Sequence, residues 1–485
     1  MNLNYIITET SPPDSFDPLL ADKGNNILMM RMLYFTPLQI NSSNELISNV
    51  LEHFEYNPNN FTIKFLIKKQ LGNFSDGTEF KSNDVLMAIL RMAYSMPNFP
   101  VIKDIVGVHE WVAKKEGLTS YPDGISINNN EIQIKLTRHN SNALFRFCLE
   151  LFSIIPSKCI DLNTGKLICK TPAYSGYYEL AERMEKEYKF KLRLNQSLLA
   201  ETVQYKNITF QYKNFAEVCD EIMSENTIIA GTDMGLNSAK CSNKFKQEQI
   251  HWLQASRFGA VLFNPNVKPF NTALSRRFYA DKIRDYFYKH NFDLIITKSI
   301  FTELLPGYLD NSKFPMVENN FKPDKNITIK LNNVKSIVGQ NVTNAIKEIA
   351  IENNLTTEIH NDDIELNTAN FLSSKIGYML SGSGFWPQDP IGDLSMYFTK
   401  NLHSSLHFVW QDKKIYTLTK EIEDETDPSR IKLKMENFNH HLYVESLIAP
   451  IVHFRRLYIT HNSIKSLNLP MAVTSPAPWH LMPTE

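Results

Sequence analysis

At 485 residues, with 43% hydrophobic and 21% charged residues, the chain is long enough for two or three ordinary soluble domains rather than one small core. Its 51 Lys+Arg nearly cancel 52 Asp+Glu, a formal net charge of -1, so the basic footprint of a nucleic-acid binder is missing. No stretch reaches the roughly 18 apolar residues of a membrane helix; the richest, 144–156, is interrupted by Arg146 and Glu150.

The opening MNLNYIITETSPPDSFDP has neither a basic n-region nor a long apolar run, so it does not read as a secretory signal. The expected compartment is periplasmic or extracellular if a signal has been removed, and cytoplasmic otherwise. Cysteines stand at 148, 159, 169, 219 and 241, and none makes the close CxxC pair of a zinc site. Cys159 and Cys169 flank DLNTGKLI, an Asn-Thr-Gly turn between short apolar runs, so a hairpin could join them as a disulfide. Cys148 reads as a buried hydrophobe.

In chain order, LNYIITET (3–10) is a first strand stopped by Ser-Pro-Pro, and ILMMRMLYFTPLQI an amphipathic helix or buried segment. FEYNPNNFTIKFLIK is a hairpin about an Asn-Pro-Asn-Asn turn, and INNNEIQIKL alternates about a second Asn turn. FSDGTEFKSNDVLMAILRMA gives a Ser-Asp-Gly turn and then a helix capped by Ser82 or Asn83. The stretch 200–234 runs strand, helix, strand, a rhythm that argues for an α/β layer. Further on, Phe258–Phe263 is a short strand, 273–288 a helix carrying Arg276, Arg277 and Arg284, NITIKL a strand, and NVTNAIKEIAIENNL a helix with apolar residues at 342, 346, 349 and 350. A helix around 430–447 and the strand VHFRRLYITHN follow. The acidic cluster Glu421 to Asp427 reads as a solvated helix end rather than a metal site.

One stretch stands apart. In SGSGFWPQDPIGDLSMYFTK (381–400) the only formal charge up to Ile391 is Asp389, which follows Phe385 and Trp386 and lies between Pro387 and Pro390. Such a loop can present a preformed anion, and Asp393 is the expected cap of a short helix after it. The alternative is a plain Gly/Pro-rich connection whose Trp plugs the core.

Four stretches together resemble the extracellular solute-binding proteins of the oligopeptide and dipeptide class (family 5) that serve ABC importers. SFDPLLADKGNN is similar to their early Leu-Asp-Pro segment, FSDGTEFKSNDVLMAILRMA to their Ser-Asp-Gly-Thr signature, VLFNPNVKPFNTALSRRFYADKIR to their Asn, Pro-Phe, Arg-Arg helix, and FWPQDPIGDL to their Trp-x-x-Asp loop. YSGYYELAE and APIVHFRRLYI add weaker likenesses in the same order.

The resemblance implies an α/β, two-lobed periplasmic-binding-protein-like fold (type II, cluster C). Lobe I would be 1–34, 156–233 and 447–485 with an inserted domain at 35–155, and lobe II 234–446. Crossings at Gly231 to Asp233 and Tyr443 to Ala449 would form a hinge. It implies a non-enzymatic, monomeric protein that captures a peptide or similar ammonium-bearing solute in an interlobe cleft and delivers it to an ABC transporter permease. No cofactor, metal or nucleic acid is expected. Asp389 would hold the ligand ammonium, with Trp386 and Phe385 as pocket wall. Backbone pairing would come from Gly382, Ser383 and Gly384 and from an extended segment at Ala21, Asp22, Lys23 and Gly24.

Close relatives often carry an arginine where this chain has Ser383. No basic residue lies between Ser381 and Phe398, so a ligand carboxylate must be met elsewhere. Nickel complexes, haem, oligosaccharides and opines are other ligands of this fold class. The alternative function is a cytoplasmic solute sensor or accessory binder of the same fold. An enzyme is disfavoured, because neither HExxH nor GxSxG occurs.

Overall fold

The computed structural model describes residues 2–8, 13, 15–20, 24–41, 43, 45–169, 172–184, 188–196, 205–213, 215–220, 223–232, 245–290, 294–315, 320–332, 337–360, 364–398, 412–467 and 481–483. The chain divides into two compact units, Met1–Gly231 with Asn243–His251 and Leu457–Glu485, and Thr232–Ser242 with Trp252–Arg456.

In the first unit, β1 (Asn2–Ile7) buries Leu3, Tyr5 and Ile7, the period-two pattern of a strand. The helix Gly24–Leu33 buries Leu28, Met29, Met30, Met32 and Leu33, so the apolar run is a core helix rather than an amphipathic one. The short β2 (Gln39–Ile40) and β3 (Leu46–Ile47) pair with each other. After them, β4 (Leu51–Asn57) and β5 (Thr62–Ile67) form the hairpin read from FEYNPNNFTIKFLIK. With β6 (Ile125–Asn128) and β7 (Glu131–Lys135) they make an antiparallel sheet in the order β4-β5-β7-β6. The intervening helix Ser82–Ser95 begins earlier than either expected cap, Ser82 or Asn83, would set it. Its cap is Lys81, whose N–H donates to the Asp84 carboxylate at 2.8 Å, so the acid at the third helical position does the work assigned to Ser82 or Asn83.

The main sheet of this unit adds β8 (Tyr178–Met184), β9 (Lys189–Leu194), β10 (Asn207–Tyr212) and β11 (Thr227–Thr232) in the order β11-β1-β10-β9-β8. β10, the helix Phe215–Asp220 and β11 are the strand, helix, strand read from the sequence, and the two strands flank β1 in parallel. Gly176, in the YSGYY turn before β8, donates its N–H to Leu33 O at 2.9 Å. A Cβ there would lie 2.5 Å from Met32 O, so only glycine lets the turn approach the end of the Gly24–Leu33 helix.

In the second unit, β12 (Ile250–Phe263) is much longer than the expected Phe258–Phe263. The helix Ala273–Lys289 follows, with the Thr272 side chain accepting from Ser275 N. Beyond β13 (Ile295–Ile296), β14 (Thr328–Asn332) and β15 (Thr356–His360) pair in parallel around the helix Ile337–Glu352, which buries Val342, Ala345, Ile346 and Ile349. Then come β16 (Tyr378–Gly384), the helices Pro390–Phe398, Lys413–Glu423 and Pro428–Glu445, and β17 (Ile448–Thr460). The order within this unit is β16-β12-β17, with β13 on β17. Two strands belong by residue to both units: β12 changes unit after His251 and β17 after Arg456.

One core of the second unit centres on Phe258, Phe301, Phe385 and Phe438, and another on Phe263, Tyr279, Ile346 and Ile451. No helix among the described residues is long and apolar enough to cross a membrane.

Candidate functional site

β16 is the terminal strand in its sheet order. It runs antiparallel to β12 in a register from Phe263↔Tyr378 to Arg257↔Gly384, and among the described residues its other edge pairs with no strand. Unpaired N–H and C=O groups along such an edge are a template for an added chain. Gly382 is exposed, and a Cβ built on it would meet nothing within 4 Å. Gly384 is half-buried; Ser383 pairs through its backbone with Phe258.

The loop that follows differs from the expectation in two respects. Phe385 is 1% exposed, stacks on Phe258 (centroids 5.8 Å) and packs at a tilt against Phe301 (5.1 Å), so it plugs the core and is not pocket wall. The half-buried Trp386 is the aromatic left near the surface. The short helix starts at Pro390, not after Asp393. Asp389 is its cap: Oδ1 accepts from Gly392 N at 2.9 Å, while Pro390 holds the first helical position, where a missing N–H costs nothing. Asp393 reaches back to accept the Trp386 N–H, and Asp389 N donates to Trp386 O at 3.0 Å.

Asp389 is 3% exposed and Asp393 6%, two carboxylates buried at the positive end of one helix. Beside them, Gln388 Oε1 is buried without a hydrogen-bond partner.

Of the segment expected to supply a second pairing strand, Ala21, Asp22 and Lys23 lie outside the described residues. Gly24 corrects the expectation: it opens the helix Gly24–Leu33 and is not extended, because the apolar run after it buries residues on successive turns. His441 pairs with Asp412 at 2.9 Å, and no group of three metal-ligating side chains occurs among the described residues.

Sequence reasoning missed what the arginines do. In the Arg-Arg helix, Arg276 donates to Glu445 O (2.8 Å) and Phe270 O (3.0 Å), and Arg284 to Pro450 O (2.9 Å) and Thr297 O (3.0 Å). Arg277 reaches Val444 O at 3.5 Å. All three are buried. They satisfy carbonyls where the helix Pro428–Glu445 ends, through Ser446 at φ 47°, and β17 begins. Arginines interspersed among apolar positions of this helix were the available signal.

Another buried arginine, Arg91, links two of the family-like stretches. Arg91 Nη2 pairs with Asp17 Oδ2 at 2.6 Å, and its Nε donates to Gly165 O at 2.8 Å. Gly165 lies in the loop closed by the Cys159–Cys169 disulfide, the pairing read as possible from the sequence.

No family model matches the chain, and no curated protein sequence matches it. Solved structures do. The Escherichia coli murein tripeptide binding protein MppA matches with a TM-score of 0.80 at 14% identity, covering 100% of this chain and 98% of that one. Haemophilus influenzae OppA, solved with the peptide RPPGFSPFR, matches at 0.76 and 13% over 100% and 99%. NikA from Brucella suis, in complex with Fe(III)-EDTA, matches at 0.76 and 12% over 100% of both chains. The chain therefore has the two-lobed α/β fold of the oligopeptide-type solute-binding proteins over its full length. At these identities the likeness defines the fold; the ligand must be argued from the site.

Proposed function

We propose that this protein is the solute-capturing component of an ABC importer, and that it binds a peptide or peptide-like solute through its main chain and its ammonium end. The observation that carries the reading is the open edge of β16 at Gly382, followed within one loop by the buried carboxylate of Asp389. A protein that accepts many side chains has to draw affinity from what peptides share. An unpaired strand edge supplies main-chain hydrogen bonds, and Asp389 supplies the counter-charge. The relatives' ligands named above include a tripeptide and a nonapeptide, which supports the reading. Fe(III)-EDTA in NikA shows that the fold also serves other solutes.

The same proposal takes lobe I as 1–34, 156–233 and 447–485, the inserted domain as 35–155 and lobe II as 234–446, in a monomer that works outside the cytoplasm. The Cys159–Cys169 disulfide supports that compartment, because such bonds persist where the milieu is oxidising.

The test is a calorimetric double-mutant cycle on a tripeptide selected by native mass spectrometry from a random pool. Asp389→Asn removes the charge, and N-acetylation removes its partner. Each alone should cost about 2 to 5 kcal/mol, roughly 30-fold to several thousand-fold in affinity, and the two together little more than one. Additive losses, or no loss, would dismiss Asp389 as the anchor.

A further inference from the structure

We propose that the Cys159–Cys169 disulfide is a redox-sensitive clasp: a dithiol opens it through Cys169, and opening it loosens the SFDP turn (15–18) by way of Arg91. The device is independent of which solute the protein binds.

The bond closes the base of a small hairpin, with a sequence separation of 10. Among the described residues its limbs share a single bridge, Ile160↔Leu167, whose hydrogen bonds run from Ile168 N to Cys159 O and from Asp161 N to Lys166 O, both 2.9 Å. A two-stranded hairpin is marginal by itself, so covalent closure of its ends matters. From 161 to 168 only Gly165 is buried, and Leu162 (43% exposed) and Ile168 (63%) stand in solvent. Leu118 N donates to Leu162 O at 2.5 Å, and Arg91 Nε to Gly165 O at 2.8 Å.

Arg91 carries the effect onward. Its Nη2 pairs with Asp17 Oδ2 at 2.6 Å, while Asp17 accepts from Leu19 N through Oδ1 (3.0 Å) and from Leu20 N through its carbonyl (2.9 Å). Gly165 O fixes the guanidinium on its Nε side. Once the hairpin can swing away, that buried N–H has no acceptor, and Asp17 loses a partner held in one orientation.

The two sulfurs are unequally placed, since Cys159 is 3% exposed and Cys169 half-buried. A dithiol thiolate therefore attacks Cys169 Sγ: a new S–S bond forms there as the Cys159–Cys169 bond breaks, and Cys159 leaves as a thiolate that takes up a proton. The second thiol of the reagent then displaces Cys169. Two protein thiols and one oxidised dithiol result, with two electrons and two protons transferred.

The experiment follows amide hydrogen exchange residue by residue, by mass spectrometry of the full chain, before and after treatment with dithiothreitol. The bond is expected to open in the folded protein, and exchange to rise about tenfold or more at Gly165 and Ile168 and also at Leu19 and Leu20, reversibly on reoxidation. Ile63 and Phe65, paired within β5, should not change. Cys169→Ser should show the fast pattern without reagent. In Arg91→Lys, which keeps a charge for Asp17 but lacks the fork, the hairpin should still respond while Leu19 and Leu20 exchange alike in both redox states.

If dithiothreitol leaves the bond closed in folded wild type, there is no clasp to open. Unchanged exchange at Leu19 and Leu20 after reduction would confine the disulfide to its own hairpin and overturn the inference. So would a response of Leu19 and Leu20 in Arg91→Lys equal to that of wild type, or a rise at Ile63 and Phe65, which would mean general unfolding. Should Cys169→Ser not fold, the reduced wild type decides alone.

Discussion

Arg91 and Asp17 form an ion pair of 2.6 Å between positions 74 apart, with the Arg91 side chain 4% exposed and that of Asp17 11%. Asp17 also accepts from Leu19 N at 3.0 Å, and Arg91 from its other side holds Gly165 O. One buried cation thus fastens the SFDP segment, the helix Ser82–Ser95 and the disulfide loop. Replacing Arg91 with Met should leave the Asp17 carboxylate buried and unpaired, a loss of about 3 to 5 kcal/mol. Adding Asp17→Asn should recover much of it. Chemical unfolding of both single variants and the double variant checks this, and additive losses would mean the pair is not coupled.

The Cys159–Cys169 bond closes a short loop, with a sequence separation of 10. A loop of this size is expected to contribute about 2 to 3 kcal/mol through the unfolded chain. Protein from its native compartment should show the bond in intact mass and peptide mapping without reductant. The double variant Cys159→Ser, Cys169→Ser should unfold at lower denaturant, whereas two free thiols in native protein would contradict the pairing.

Asp389 has a capping role that can be separated from any ligand role. Asn caps a helix about as well as Asp, so Asp389→Asn should change stability by less than about 0.5 kcal/mol while it abolishes the charge. Asp389→Ala should lose about 1 kcal/mol more through the unmet Gly392 N–H. Thermal melts of the ligand-free protein decide. A large loss in the Asn variant would show that the negative charge itself holds the loop together.

His453, in β17, is buried and its Nε2 lies 2.8 Å from Ser299 O, which only accepts, so the neutral ring donates there. Burial pushes its pKa down from 6.5 to about 4. The unfolded chain takes up a proton below about pH 6.5 and the folded one only below about 4, so stability should fall across that window as the pH is lowered. The effect is on the order of 3 kcal/mol. Between pH 7 and 4 the melting temperature of His453→Gln should fall less than that of wild type. Equal slopes would place the acid sensitivity elsewhere.

Local pattern alone determined much of this protein: the β4–β5 hairpin, the β10–helix–β11 unit, the helix Ala273–Lys289 and the loop with one carboxylate between two prolines. Each is written in neighbouring residues, by alternation, turn chemistry or a proline that fixes φ. The SFDP, Ser-Asp-Gly-Thr and Arg-Arg stretches pointed to the fold because their order spans the chain. Only the tertiary structure decided which of two adjacent aromatics enters the core. Phe385 does so because β16 brings it against Phe258 and Phe301, contacts that no local window contains. It also decided that Asp389 rather than Asp393 caps the helix, that Arg91 meets Asp17, and that Arg257 faces Gly384. Register and long-range charge pairing depend on strands and helices far apart in the chain, and a one-residue slip of β12 against β16 would turn Arg257 to the opposite face.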